Sequence, residues 1–179
     1  MENRKNVFTR SAELGVPFGG MLLIASVAMI FNDKVPFLSL LTLLVAIAAP
    51  FVLYRLQRKR FLESNGFATF SELWTLAIFT TIGGAIICGC VTYVIITYLR
   101  PDFLYEQAQM IVDTYKKVPG TQTQEIVTVF EKMIKHNLLP SAIDFCIQMF
   151  WLTASLGCVG GALTALIAGK TSIKNDTKL

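Results

Sequence analysis

Acid–base chemistry needs a carboxylate and a histidine, or two carboxylates, near hydrogen-bond reach of one another. Glu131, His136 and Asp144 are the residues whose types and spacing approach such a set, and His136 is the single histidine among 179 residues. Each has a simpler role. His136 falls at the C-terminal end of a polar helix, where a cation is favoured by the helix dipole. Asp144 completes Ser141-x-x-Asp144, and Glu72 completes Thr69-Phe-Ser-Glu72; both read as capping boxes ahead of apolar runs. Glu13 follows Arg10 by three residues and reads as a local ion pair rather than a proton or cation site beside Pro17. The four cysteines, Cys88, Cys90, Cys146 and Cys158, sit in or at the edge of apolar stretches as small packing residues. No Cys/His spacing matches a metal site. Phosphate-cradling loops, nucleophile elbows and zinc-protease signatures do not occur. The expectation is a chain without catalytic residues, cofactor or metal.

The elements that hold these residues are more informative than the residues. Leu14–Phe31, Val35–Tyr54, Leu73–Leu99 and Phe145–Gly169 carry no Lys, Arg, Asp or Glu. Each is long enough to cross hydrocarbon, which takes roughly 18 or more apolar residues. Charged residues are 16% of the chain with a mean hydropathy of +0.57, against about 25% charged in soluble domains. The sequence predicts an all-α integral membrane protein whose single four-helix domain fills 1–179. Its spans cover about 12–31, 35–54, 72–99 and 142–169. Pro17 predicts a kink in span one, Pro50 bends span two, and Pro36 suits its first turn. Asn65-Gly66 marks a turn before span three.

Charge distribution orients the bundle. Arg4, Lys5 and Arg10 precede span one, and Lys170, Lys174 and Lys178 follow span four. Arg55, Arg58, Lys59 and Arg60 follow span two on a helix that continues past Tyr54. By the positive-inside rule both termini and this loop are cytoplasmic. A leader cleaved near Ser26-Val27-Ala28 would leave three spans and put the basic tail on the wrong side, so it is disfavoured. Segment 101–140 is then extracytoplasmic. Leu104, Ala108, Ile111 and Tyr115, then Ile126, Phe130 and Met133, predict two amphipathic helices there, joined at Val118-Pro119-Gly120. A net charge of +4, placed this way, speaks for topology and not for nucleic acid.

Two features carry the functional expectations. Gly157, Gly161, Ala165 and Gly169 follow Thr153 at spacing four, matched by Thr80, Gly84, Cys88 and Thr92 in span three and Ser11, Gly15 and Gly19 in span one. Lipid supplies little hydrophobic drive between helices, so such strips let backbones approach closely. They predict packing of span three or span one against span four, or a seam for a homodimer or a membrane-protein partner. Arg55, Arg58, Lys59 and Arg60 are a candidate contact for anionic lipid headgroups or an acidic partner.

The stretch Tyr54–Arg60, the segment Gly66-Phe-Ala-Thr-Phe-Ser-Glu-Leu73, Pro101, and Gly160-Gly-Ala-Leu-Thr-Ala-Leu-Ile-Ala-Gly-Lys170 together give nearly the whole chain a resemblance. It resembles a family of small four-helix bacterial inner-membrane proteins catalogued as a domain of unknown function. The resemblance implies four spans, both ends inside and a helical outer segment, with cell-envelope or lipid-linked sugar enzymes as companions. It carries no catalytic residue. The expected role is a non-enzymatic accessory or scaffold subunit of a cell-envelope complex, surrounded by membrane lipid. The alternative is a small transporter or lipid-binding protein with a cavity lined by Thr80, Thr81, Thr92 and Thr153.

Overall fold

The structure is a computed structural model that describes residues 7–33, 35, 37–117, 121–136 and 138–170. Pro36, the turn at 118–120 and the tail at 171–179 lie outside the described residues. Six α-helices and no strand occur among the described residues: α1 (Val7–Ile30), α2 (Leu38–Glu63), α3 (Phe70–Val94), α4 (Phe103–Lys116), α5 (Thr121–Lys135) and α6 (Ala142–Lys170). A π-helical turn, Ile95–Leu99, extends α3. Four of these helices are long and apolar enough to span a membrane: α1, α2, α3 with its π turn, and α6 as far as Gly169. The chain is a multi-pass membrane protein.

Local sequence explains the helix ends. Thr69 is extended and its hydroxyl accepts from the Glu72 amide, capping α3. The other half of that expected box is replaced, because the Glu72 carboxylate accepts from Arg60 instead. Ser141 and Asp144 form the full reciprocal box at α6. α2 ends where Asn65 and Gly66 take φ of 53° and 82°, a left-handed turn that glycine and asparagine tolerate. The Gly66 amide then reaches back to the Phe61 carbonyl. α1 remains a helix through Pro17, and α2 through Pro50.

α3 is the central helix. α1 packs along one of its faces and α6 along another, while α2 closes the ring by touching α1 and α6. Glycine makes both α3 seams possible. A Cβ on Gly19 would lie 3.0 Å from the Gly84 Cα, and one on Gly15 would lie 3.5 Å from the Gly83 Cα. On the other face, a Cβ on Gly161 would meet the Ala77 Cβ at 2.7 Å, and one on Gly157 would meet the Thr81 Cγ2 at 2.2 Å. The strip on α1 thus meets α3 and not α6. The reason is that α3 offers two small faces one residue apart, Thr80/Gly84 and Ala77/Thr81, so it takes a partner on each side. Ala165 is buried in a cluster with Leu73, Phe61 and Ala168, whereas Gly169 has no neighbour within 4 Å of its Cβ direction.

α2 is attached differently. Only 6% of its most apolar stretch is buried, against 22–28% for the other three spans. It has no glycine, so it keeps its distance except where particular side chains reach across.

Candidate functional site

Ionisable side chains collect at the two ends of the bundle and leave the middle uncharged. At the end carrying Arg10, Arg60 and Gly169 (the basic end), Arg10 pairs with Glu63 and Arg60 with Glu72, joining α1 to α2 and α2 to α3. Arg58 donates to the Ala168 carbonyl at 3.1 Å and lies over the Phe61 ring. A cation at a helix C-terminus is favoured by its dipole. Of the four cations predicted to meet headgroups or a partner, Arg58 and Arg60 thus have partners inside the chain, while Arg55 and Lys59 are exposed. One turn deeper, Gln57 is fully buried. Its Nε2 donates to the Leu73 carbonyl at 3.2 Å and to the Gly161 carbonyl at 2.9 Å, pinning α2 to both α3 and α6. Trp74 Nε1 donates to the Cys158 carbonyl at 3.0 Å, a second tie between α3 and α6.

At the opposite end, the α4 end, Arg100 is 8% exposed. It donates to both oxygens of Asp33, at 3.3 and 2.9 Å, to Glu106, and to the Ile30 carbonyl at 3.3 Å. It also lies over the Phe31 ring. The hydrogen bonds to Asp33, then to Glu106, raise its pKa above the usual arginine value, so it stays charged. The π turn positions it: the Arg100 amide bonds to the Ile95 carbonyl, five residues back. This network ties the end of α1 to the start of α4, over a cluster of Ile30, Ile96 and Phe103 packed by Phe145.

Glu131 and Asp144, two of the three residues weighed for acid–base chemistry, have other partners. Asp144 is engaged by Ser141, and Glu131 pairs with Lys116. His136 is exposed at the end of α5. Among the described residues no group of three His, Cys, Asp or Glu is placed to hold a metal.

Between these two ends lies a cavity of about 560 Å³, within the range of pockets for drug-sized ligands. α1 lines it with Phe18, Leu22, Ser26 and Met29, α2 with Thr42, Val45, Ala46, Ala49 and Leu53. α3 contributes Thr81, Ala85, Cys88 and Thr92; α6 contributes Phe145, Cys146, Met149, Thr153 and Leu156. No ionisable carboxylate, amine, guanidinium or imidazole lines it. Its hydroxyls mostly bond inward. Thr81 donates to the Ala77 carbonyl at 2.8 Å, Thr42 to the Leu38 and Ala25 carbonyls at 3.3 Å each, and Ser26 lies 3.0 Å from Cys88 Sγ. The wall therefore presents methyls, rings and thioethers. The predicted lining residues Thr81, Thr92 and Thr153 are on this wall. Thr80 is fully buried and lies on the α1 face of α3 instead. Sequence reasoning missed the Arg100 network and the Gln57 pin. Arg100 stands between the end of span three and Pro101, and Gln57 stands inside a basic run; a lone amide one turn past an apolar span was the available signal.

The fold and the pocket define the class first: a four-span helical membrane protein with an uncharged cavity among its helices. The family described as "Protein of unknown function (DUF4199)" matches residues 13–170, and the chain belongs to it. No curated protein and no solved structure matches the chain.

Proposed function

We propose that this is a non-enzymatic lipid-binding membrane protein, in which the pocket between α2 and α6 takes the hydrocarbon part of a membrane lipid. The observation that carries this reading is the uncharged cavity of about 560 Å³ beside an α3–α6 seam with no room for a methyl at Gly157 or Gly161. The strip glycines Gly15, Gly19, Gly84, Gly157 and Gly161 that suggested a scaffold are covered within the chain, while Gly169 is open and Cys88, Thr92 and Thr153 line the pocket. A partner would therefore have to use the lipid-facing side chains. Arg10, Arg55 and Lys59 support, by the positive-inside rule, a cytoplasmic basic end with α4–α5 on the other side, and the bacterial inner membrane is the location the family resemblance implies.

Gly89 and Gly160 line the cavity and have nothing within 4 Å of their Cβ directions. A side chain added at either position starts into open space, so leucine at both is the substitution chosen to occupy the pocket. Native mass spectrometry of protein extracted from its membrane should show bound lipid in the parent chain. The Gly89→Leu/Gly160→Leu double variant should lose it at unchanged helicity. Equal lipid retention in both would sink the reading. Reporter fusions at residues 60 and 120 test the orientation, and the same compartment for both would refute it.

A further inference from the structure

We propose that the α4–α5 hairpin lies along the bilayer leaflet at the α4 end, with one apolar face set among the lipid headgroups and upper chain segments. The inference is independent of the pocket. It rests on how charged and apolar residues divide between the two sides of the hairpin.

One side is polar. Gln109, Asp113 and Lys116 of α4 face Glu131 and Lys135 of α5 across a cleft, where Lys116 pairs with Glu131 at 2.7 Å. The Tyr105 hydroxyl joins this side by accepting from Gln109 at 2.9 Å. At 3.6 residues per turn, the opposite side of α4 carries Leu104, Ile111 and Tyr115, and the opposite side of α5 carries Ile126, Val129 and Met133. None of these six is buried: Tyr115, Ile126 and Val129 are exposed and the other three half-buried.

The start of α4 fixes which side faces the spans. Phe103 is buried with Ile30 and Ile96, its ring edge-on to Phe145 of α6, and Leu104 packs against the same cluster. These two side chains bracket the side of α4 that carries Ile111, so the polar cleft faces away from the spans. Arg100 holds Glu106 on the flank between the two sides. Beyond this first turn the main packing of the hairpin is α4 against α5. No described residue of α5 is fully buried. The apolar face therefore runs past the span ends without extensive protein packing beneath it.

Lipid is the occupant this placement selects. α4 begins within a few residues of the end of the third span, and α6 begins soon after α5 ends, so the bilayer surface starts where the hairpin starts. A soluble partner would have to wedge between the hairpin and that surface. Charge gives such a partner no help: Lys116, Lys117, Lys132 and Lys135 are balanced by Glu106, Asp113, Glu125 and Glu131. Burial of the apolar face is then the driving term, and an apolar face with a polar back is what holds a helix in a membrane interface.

The test uses full-length protein, one protomer per phosphatidylcholine bilayer disc, with its four cysteines replaced by alanine. Spin labels go singly at Ile111→Cys, Ile126→Cys and Val129→Cys on the apolar face, and at Gln109→Cys and Gln124→Cys on the polar side. Collisions are read with oxygen, which concentrates in lipid, and with a water-soluble nickel chelate. The oxygen-to-nickel ratio should be higher at all three apolar-face sites than at the two polar ones. Equal ratios on both sides overturn the inference, because the hairpin then stands in water. Apolar-face labels shielded from both reagents also overturn it, because protein then covers the face. A second measurement needs no substitution: a phosphatidylcholine with a photoactivatable group near its glycerol should mark the Ile126–Met133 stretch of the parent chain. Marks on the spans with none on that stretch would overturn the placement.

Discussion

The sharpest quantitative consequence of the fold concerns one hydrogen atom's replacement by a methyl. At Gly157 that methyl would sit 2.2 Å from Thr81 Cγ2, 2.6 Å from its Cβ and 2.7 Å from its Oγ1. Real Cβ contacts are essentially never below about 3 Å, and Thr81 cannot rotate away. Its hydroxyl is bonded to the Ala77 carbonyl, and a β-branched residue in a helix has few allowed rotamers. Gly157→Ala must therefore push α6 away from α3. Overpacking of this kind costs about 1–3 kcal/mol. For a chain of this size each kcal/mol shifts the thermal midpoint by roughly 2–4 °C, so the expected loss is roughly 2–12 °C in detergent solution.

The control is built into the same helices. Gly160→Ala and Gly89→Ala add a methyl to open space and should be neutral or slightly stabilising, since alanine is the better helix former. The decisive variant is the exchange Gly157→Ala/Thr81→Gly, which moves the side chain from one wall of the seam to the other. Its loss should fall short of the sum of the two single losses by about 0.5–3 kcal/mol, the range expected for residues in contact. A Gly157→Ala midpoint equal to that of Gly160→Ala, or strictly additive losses, would refute the α3–α6 register.

Removing Arg100 as Arg100→Gln should destabilise by about 1–3 kcal/mol by midpoint shift, because Asp33 and Glu106 then face each other without their cation. Arg100→Lys should rescue little, since a point charge cannot hold both carboxylates and a carbonyl. Gln57→Leu should lower the midpoint by about 0.6–2 kcal/mol, the scale of interhelical hydrogen bonds in lipid, and should loosen α2 in amide exchange while leaving α1 protected. The Lys116–Glu131 pair couples α4 to α5, and its hydrogen bond raises the Lys116 pKa. A raised base stabilises the folded state fully below its unfolded pKa of about 10.4 and loses that contribution as pH climbs through the folded value. Spin labels across α4 and α5 should therefore keep their distance from neutral pH to about 10.4 and separate only above it, and Lys116→Met should remove that transition.

The spans were legible because hydrocarbon imposes a length and a composition on any helix within it. The capping boxes were legible because they are local: Ser141 and Asp144 satisfy each other whatever the rest of the chain does. The small strips announced close packing, but not between which helices. Spacing four marks a face and carries no information about its partner; that was settled by α3 having two such faces. Thr80 and Thr81 show the limit plainly. They are adjacent, chemically identical and both near a helix interface, yet one faces α1 and the other the pocket. The cavity was legible only in part: Thr81, Thr92 and Thr153 were read as lining and do line it, but the walls that α1 and α2 contribute were not. It exists because α2 lacks glycine on its inner side and is held by Gln57 and Arg58 at one end, and absence of contact leaves no pattern in a sequence.

That absence makes physical sense only with lipid as solvent. In water, a void of this size lined by methyl groups would cost its owner the lost contacts of every lining atom, on the order of 24 cal/mol per Å³ in the best-studied soluble core. Over about 560 Å³ that rate comes to about 13 kcal/mol, comparable to the whole stability of an ordinary domain, so a dry void of this size favours collapse of α2 onto α6 in a water-soluble bundle. In a bilayer the alternative to protein contact is chain contact, and a lipid tail supplies the same dispersion attraction. The bundle can therefore keep three helices locked by glycine and hold the fourth through side chains such as Gln57 and Arg58. The solvent that makes an open apolar pocket tolerable is also the one that would supply the proposed hydrocarbon occupant.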